Sequence, residues 1–503
     1  MKNPFSRPLA CVAIACALPT AAFADVSALE VWESWKSYAE TFGQTVSVGS
    51  QETSGNALIL RDVTITMEFA DGSASGTLAL LEFRERGDGT VAVTMAPDFP
   101  LSVSIDPEIG EAVDLAIIFR QSGSSIIASG GDGDISFDYL AAQISFEIDT
   151  LIVDGQDIDT NIQFVMSDVD GKYAVSGGDD RTYASQFAAA EATFEVSFAV
   201  PDDGGQFEMT GFIEDLRSNS RATVPADFDA TNAAAIFGGG FDVEGAFSTG
   251  ASGYSISMAN GPESFALNTS AASNSLQFSI LDGTMNYGGS ATEINYSIQA
   301  PQIPVPEVNF GIAEVAFNLL MPLTKSDEPN DFGFLMKLAG LEISDMIWGM
   351  FDPAVIIPRD PATIIIDVSG QMNWLIDFAD LEQATAFTGE TPAELHIITI
   401  NDITLSVAGA EITGGGEFTF DNSDLETFNG MPAPSGVFEM RFVGLNGLLD
   451  RLIQIGILPQ EQAMGMRMMF GMFARPADGE DTMISSIEVK SDGSIFANGQ
   501  QIK

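Results

Sequence analysis

Few residues of this 503-residue chain have the type and spacing that chemistry requires. His396 is the only histidine and sits beside Ile397 and Ile398, which reads as a hydrogen-bonded structural residue in a strand. Both cysteines, Cys11 and Cys16, fall in the first 24 residues. One histidine and no downstream thiol cannot make the usual zinc sites or a two-histidine haem. Past residue 24 there is no Gly-x-Ser-x-Gly elbow and no Ser-x-x-Lys, and Gly171-Lys172 lacks the upstream glycine of a phosphate-cradling loop. A pair of carboxylates needs no motif, so with 71 acidic residues a carboxylate-based hydrolase stays open. Four tryptophans and seven tyrosines are few for stacking sugars, and the expectation is a non-enzyme without catalytic, cofactor-binding or metal residues.

Calcium is the one cofactor with enough oxygen ligands. Gly130-Gly131-Asp132-Gly133-Asp134 approaches a calcium-binding repeat but puts Ile135 at a key position; Asp168 and Asp170 before Gly171 match only part of a calcium loop. Hairpin turns explain both stretches more simply. The apolar residues of most interest are Trp32 and Trp35 near the start, and Met464, Met466, Met468, Met469 and Met472 near the end. Methionine is flexible and polarizable, so Met464, Met468 and Met472 are either core packing or, with Trp32 and Trp35, a surface for an apolar ligand or partner.

The elements that carry these residues are mostly strands. Apolar residues alternate at period two in Thr90 to Met95, Ile135 to Ile148, Ile162 to Met166, Ala192 to Val200, Tyr254 to Met258 and Leu276 to Ile280. Asp71-Gly72, Asp88-Gly89, Asp154-Gly155, Asp170-Gly171, Asn260-Gly261 and Asp282-Gly283 have the composition of tight hairpin turns. The fold class expected is therefore mainly β: extended, curved, antiparallel sheets built of long hairpins. Residues 58–80 and 398–420 share a pattern at a constant offset, with the apolar phase flipping across Arg61-Asp62 and across Asn401-Asp402. Each flip reads as a bulge or corner with one extra residue, and the two hairpins are either an internal repeat or two units obeying the same rules.

Helices are expected at the two ends. Ser27 with Glu30 forms a capping box, and Ala28, Trp32, Trp35, Ala39 and Phe42 make one stripe before Gly43. Further helices are expected near 343–351, 447–455 and 460–473, with Asn446 capping the third of the four and Pro459 opening the last. The alanine-rich 185–190 and 232–237 read as short helical turns and Gly238-Gly239-Gly240 as a bend. Pro301, Pro304 and Pro306 mark a boundary between an N-terminal β domain, 25–300, and a C-terminal one, 301–503.

Residues 1–24 have the layout of a secretory signal peptide: Lys2 and Arg7, an apolar Leu9 to Leu18, and Ala22-Phe23-Ala24, predicting cleavage between Ala24 and Asp25. The run is too short for a membrane span. Cleavage would leave a cysteine-free mature chain, which must be stabilised by its core. The net charge of −51 is spread along the chain and repels nucleic acid and anionic membranes.

Val31-Trp32-Glu33-Ser34-Trp35-Lys36, Trp348 to Pro353 followed by Pro358-Arg359-Asp360-Pro361, and the ending Phe496-Ala497-Asn498-Gly499-Gln500 resemble an uncharacterised family of exported Gram-negative proteins, domain-of-unknown-function family 2125. More distantly, the long alternating hairpins look like envelope proteins of the AsmA type, whose β-grooves are associated with lipid handling. The expectation is a soluble periplasmic envelope protein that shelters a lipid or another apolar ligand in a sheet groove. The alternatives are a scaffolding envelope protein without ligand, whose partner is another envelope protein, and an outer-membrane β-barrel.

Overall fold

The computed structural model describes residues 25–503 except 42, 108, 132, 179, 200–204, 227–240, 261–262 and 377–391. Residues 1–24, where a signal peptide is expected, the stretch 232–237 and the glycine triplet lie outside the described residues. What is described is mainly β: 27 strands in one sheet whose ladders are all antiparallel, with four helices. Alternating apolar residues favour this arrangement because one face of each strand can be buried while the other stays wet. Asp154-Gly155 and Asp282-Gly283 form tight turns in which both residues have positive φ (49° and 77°, 48° and 71°).

Neighbours in sequence are neighbours in space almost throughout. Each long strand pairs with the next, and where two short strands replace one long one they lie end to end against it. Asp242–Thr249 and Ser252–Asn260 thus share the flank of Gln206–Val224. Pro301, Pro304 and Pro306 fall in the connection between Thr284–Gln299 and Val308–Pro322, which pair from Thr284–Pro322 to Ile298–Val308. The first strand, Gln44–Ser54, pairs only with Ala57–Phe69 among the described residues, which leaves its other edge free of described partners. No helix is long and apolar enough to cross a membrane among the described residues.

A row of left-handed residues crosses this sheet. Asp62 (φ 51°), Asp168 (50°), Asp215 (48°), Glu293 (50°) and Gly340 (68°) each interrupt a strand, yet the pairing passes the first four without a change of register, and at Gly340 it shifts only on the side of Ala362–Trp374. Small residues stand beside them. Ala190 lies between Asp168 and Asp215, and Ala313 between Glu293 and Gly340; a Cβ on Gly340 would come within 2.7 Å of the Ala313 Cβ. One left-handed residue reverses the alternation, so side chains three apart across it point the same way. Met166 with Val169 and Ile213 with Leu216 are such pairs, and they meet Ala141, Ile144, Ala189 and Ala192 in one buried cluster. Both flanks of the row therefore turn their apolar side chains to one interior, and the row is a crease.

The expected phase flips are both present, by two different devices. Asn401-Asp402 holds one extra residue, since Ile400 pairs with Gly416 and Ile403 with Gly414. At Asp62 no residue is inserted: Ser50 faces Arg61 and Val48 faces Val63, and the left-handed backbone alone turns the strand over. Asp170-Gly171 is likewise not a turn. It lies inside Thr160–Ser176, two residues past the crease. The alanine-rich 185–190 is no helix but part of the strand Arg181–Ala199, where alanine is small enough to sit next to Asp168 and Asp215.

The helices lie close to expectation: α1 is Ala28–Thr41, α2 Asp345–Phe351, α3 Leu445–Gln454 and α4 Gln460–Phe473. The capping box of α1 forms, with the Ser27 amide donating to Glu30 Oε2 at 2.7 Å and the Glu30 amide to Ser27 Oγ at 3.3 Å. In α3 the N-cap is Gly444, and Asn446 lies within the helix. The carboxylate that serves this end is Asp481, which accepts from the Gly447 amide and from Asn446 Nδ2, both at 2.8 Å. A left-handed Gly444 (φ 72°) starts the helix earlier than Asn446 would allow.

Candidate apolar ligand site

The central strands carry an apolar face that no described element covers. Cross-strand register places Phe247, Leu276, Gly289, Phe317, Met336, Ile366 and Ile403 in one line. A parallel line runs through Phe278, Tyr287, Leu319, Phe334, Val368 and Ile400. Phe247, Leu276, Phe278, Tyr287, Phe317, Phe334 and Met336 are each 36–45% exposed. Singly exposed apolar residues are ordinary, whereas a contiguous set marks an interaction surface. Gly289 keeps this face tight, because a Cβ there would lie 3.1 Å from the Phe317 ring and 2.7 Å from the Ser275 carbonyl oxygen.

The opposite face of the same strands is polar. Hydroxyls pair across it at Ser273–Thr292 (2.7 Å) and Ser275–Ser290 (2.8 Å), Asn318 Nδ2 donates to Asn286 Oδ1 at 2.8 Å, and Lys337 bonds Glu314. The water-facing side is therefore identified by its own hydrogen bonds. The uncovered apolar side is a separate surface, not the ordinary exterior.

At the N-terminal end the two flanks of the crease close on α1. Trp32 is buried and packs on Phe83, with ring centroids 6.1 Å apart. Trp35 meets Phe83 edge-on at 5.5 Å and Phe137 at 5.7 Å. Beneath the helix is a cavity of about 740 Å³, lined by Ile65, Phe99 and Phe119 from one flank and by Phe137, Tyr173 and Val175 from the other. That volume lies within the range of small-molecule sites. The wall continues outward from Phe119 to Phe146 (5.0 Å) and from Phe146 to Phe164 (6.4 Å). Tyr173 is packed between Phe137 and Tyr38, and its buried hydroxyl has no hydrogen-bond partner. Burial holds that phenol protonated, raising its pKa well above the ordinary tyrosine value, with Tyr38 and Tyr183 adding to the shift.

The residues singled out in the sequence do not form one site. Trp32 is core, not surface, and Trp35 lines the cavity. Met464, Met468 and Met472 lie at the other end of the strand series, on α4, and are 57%, 66% and 64% exposed. Core packing of that stripe is thereby excluded. Only Ala463 of α4 is buried, while Arg467 turns inward to Asp450 at 2.7 Å and to the Asn446 carbonyl oxygen at 3.2 Å. His396 is satisfied as a structural residue, with Nε2 2.6 Å from Oδ1 of the buried Asn373. Asp168 and Asp170 are strand residues at the crease and not ligands of a loop.

The segment after α2 forms a compact knot. Asp352 is fully buried and accepts the amides of Ile356 (2.9 Å) and Ile357 (2.8 Å). The Ile356 amide is the larger cause of its lowered pKa; the Ile357 amide and Arg359 add to it. Arg359 lies 5.9 Å over the Trp348 ring and bonds Asp345. These residues hold the end of the sheet at α2 and present no reactive group to a cleft.

No family model matches the chain, and neither does any curated protein. Among solved structures, the crystal structure of the ferric citrate transporter FecA in the unliganded form is similar at 9% identity and a TM-score of 0.17, over 89% of this chain and 72% of that one. A superposition that poor carries no weight for fold or function.

Proposed function

We propose that this is a non-enzymatic, exported protein of the periplasm, akin to the domain-of-unknown-function family 2125, that binds acyl chains along the uncovered apolar face of its sheet. The observation that carries the reading is the line from Phe247 to Met336, in which Phe247, Leu276, Phe317 and Met336 are exposed, backed by a face whose polar groups bond one another. An uncovered apolar surface of this extent is costly in water and gains from a hydrocarbon occupant. The acidic surface disfavours direct association with anionic membranes, which suits a carrier of single molecules better than a membrane-bound scaffold. Mass spectrometry of solvent extracts from protein purified without detergent tests this. Stoichiometric acyl lipid, reduced several-fold by Phe317→Asp, is the expected result; lipid-free protein that also fails to take up added lipid overturns the reading.

The scaffolding alternative draws on a different observation, the exposed methionine stripe of α4. It predicts a protein partner crosslinked through α4 and unaffected by Phe317→Asp.

A further inference from the structure

The cavity beneath α1 differs from the open face in having polar groups placed at its edges. Tyr173 offers a buried hydroxyl without a partner, and an orphaned donor in an apolar wall costs free energy unless an acceptor arrives. Two residues beyond Phe119 and outside the lining itself, buried Gln121 accepts from the Tyr139 hydroxyl at 3.1 Å while its own Nε2 has no partner. Lys36 and Arg181 also line the cavity. In a chain with 20 basic and 71 acidic residues, these two cations, of which Lys36 also lies 3.9 Å from Glu40 one helical turn on, balance the two carboxylates of an apolar pocket. Of the two carboxylates on the lining, Glu30 is held by the amide and hydroxyl of Ser27, which leaves Glu33 as the uncommitted one.

We propose that this cavity is the headgroup end of the site and takes the carboxylate of a single long-chain fatty acid. This rests on the acyl-binding reading above and adds polarity and direction to it. The carboxylate accepts from the Tyr173 hydroxyl and is neutralised by Lys36 and Arg181. The hydrocarbon leaves past Phe119 and runs along Phe146 and Phe164, whose rings continue the apolar wall. The helix α1 acts as the end wall, so a chain enters from the open face and stops under Trp35.

Titration of the full chain lacking residues 1–24 with palmitate, methyl palmitate and hexadecane, followed by calorimetry, tests the assignment. Palmitate is expected to bind one to one and about tenfold more tightly than its methyl ester. Tyr173→Phe, which preserves the ring packing, should weaken palmitate by about five- to tenfold and leave hexadecane unchanged. Val46→Trp, which fills the cavity, should abolish both. Equal affinities for acid and ester, or a Tyr173→Phe variant that binds palmitate as well as the parent, overturn the assignment. Palmitate binding that survives Val46→Trp but is lost in Phe317→Asp also overturns it, while leaving the acyl-binding reading standing. Failure of all three probes to bind removes both.

Discussion

The first strands and the central strands have the same architecture and different interiors. Around α1, apolar side chains from both flanks of the crease meet: Val31, Leu60, Phe83, Val91 and Ala128 are fully excluded from water. Between Asp242–Thr249 and Ala393–Val407 the same alternation gives side chains that remain more than one-third exposed, such as Phe317 and Phe334. The difference is the helix. A folded sheet supplies walls, but filling the space between them takes an inserted element, and only the N-terminal end has one with two tryptophans. One sheet is thus tightly packed around α1 and keeps part-exposed apolar side chains along its central strands.

That contrast can be broken by mutation. Trp32→Ala should cost about 3–5 kcal/mol in denaturant unfolding, the scale for removing a buried aromatic. Phe317→Ala should cost roughly 1 kcal/mol or less, since little buried area is lost. Equal losses would mean that the central face is packed after all. At the crease, Asp168→Val should destabilise by about 1–2 kcal/mol because a β-branched residue resists a left-handed backbone, whereas Asp168→Gly should be close to neutral by thermal melting. If valine is tolerated there, the row is not a conformational requirement.

Acid sharpens the comparison at the far end. Asp352 has a pKa below the ordinary carboxylate value, so its contribution is complete above about pH 4, the unfolded range, and is lost as pH falls through the lower folded value. Hydrogen exchange at Ile356 and Ile357 should accelerate over that acid window, and Asp352→Asn should remove the pH dependence. The smallest effect belongs to α4: Met464→Leu should change stability by no more than about 0.5 kcal/mol. Dilute peroxide should oxidise Met464, Met468 and Met472 ahead of Met95 under α1, as read by peptide mapping.

The strands were legible in the sequence because half-burial writes a period of two into it, and the capping box of α1 because it needs only Ser27 and Glu30. The crease was legible only in part. The alternation flips at Asp62, but the left-handed backbone leaves no mark that distinguishes it from an inserted residue. Its continuation through Asp168, Asp215 and Glu293 depends on register between strands far apart in sequence. The same blindness explains Ala188, Ala189 and Ala190, whose composition suggests a helix until their neighbours across the sheet are known. For the candidate site, Trp35 was found by its stripe, and Met464, Met468 and Met472 by their spacing. Tyr173 gave no signal, because an orphaned hydroxyl is a property of surroundings and not of sequence.

The sequential order of the sheet has a consequence for how the chain acquires its shape. A polypeptide emerging N-terminus first can zip each ribbon onto the one just completed, since almost none must wait for a distant partner and loop closure stays inexpensive at every step. Ser273–Leu281 is an exception, reaching back to Asp242–Thr249 over an intervening hairpin. Ser125–Gly131 reaches back to Val91–Met95 in the same way and Thr482–Val489 to Ala433–Val443 over two helices, so assembly should pause at these three places, where a slow phase in refolding is to be sought.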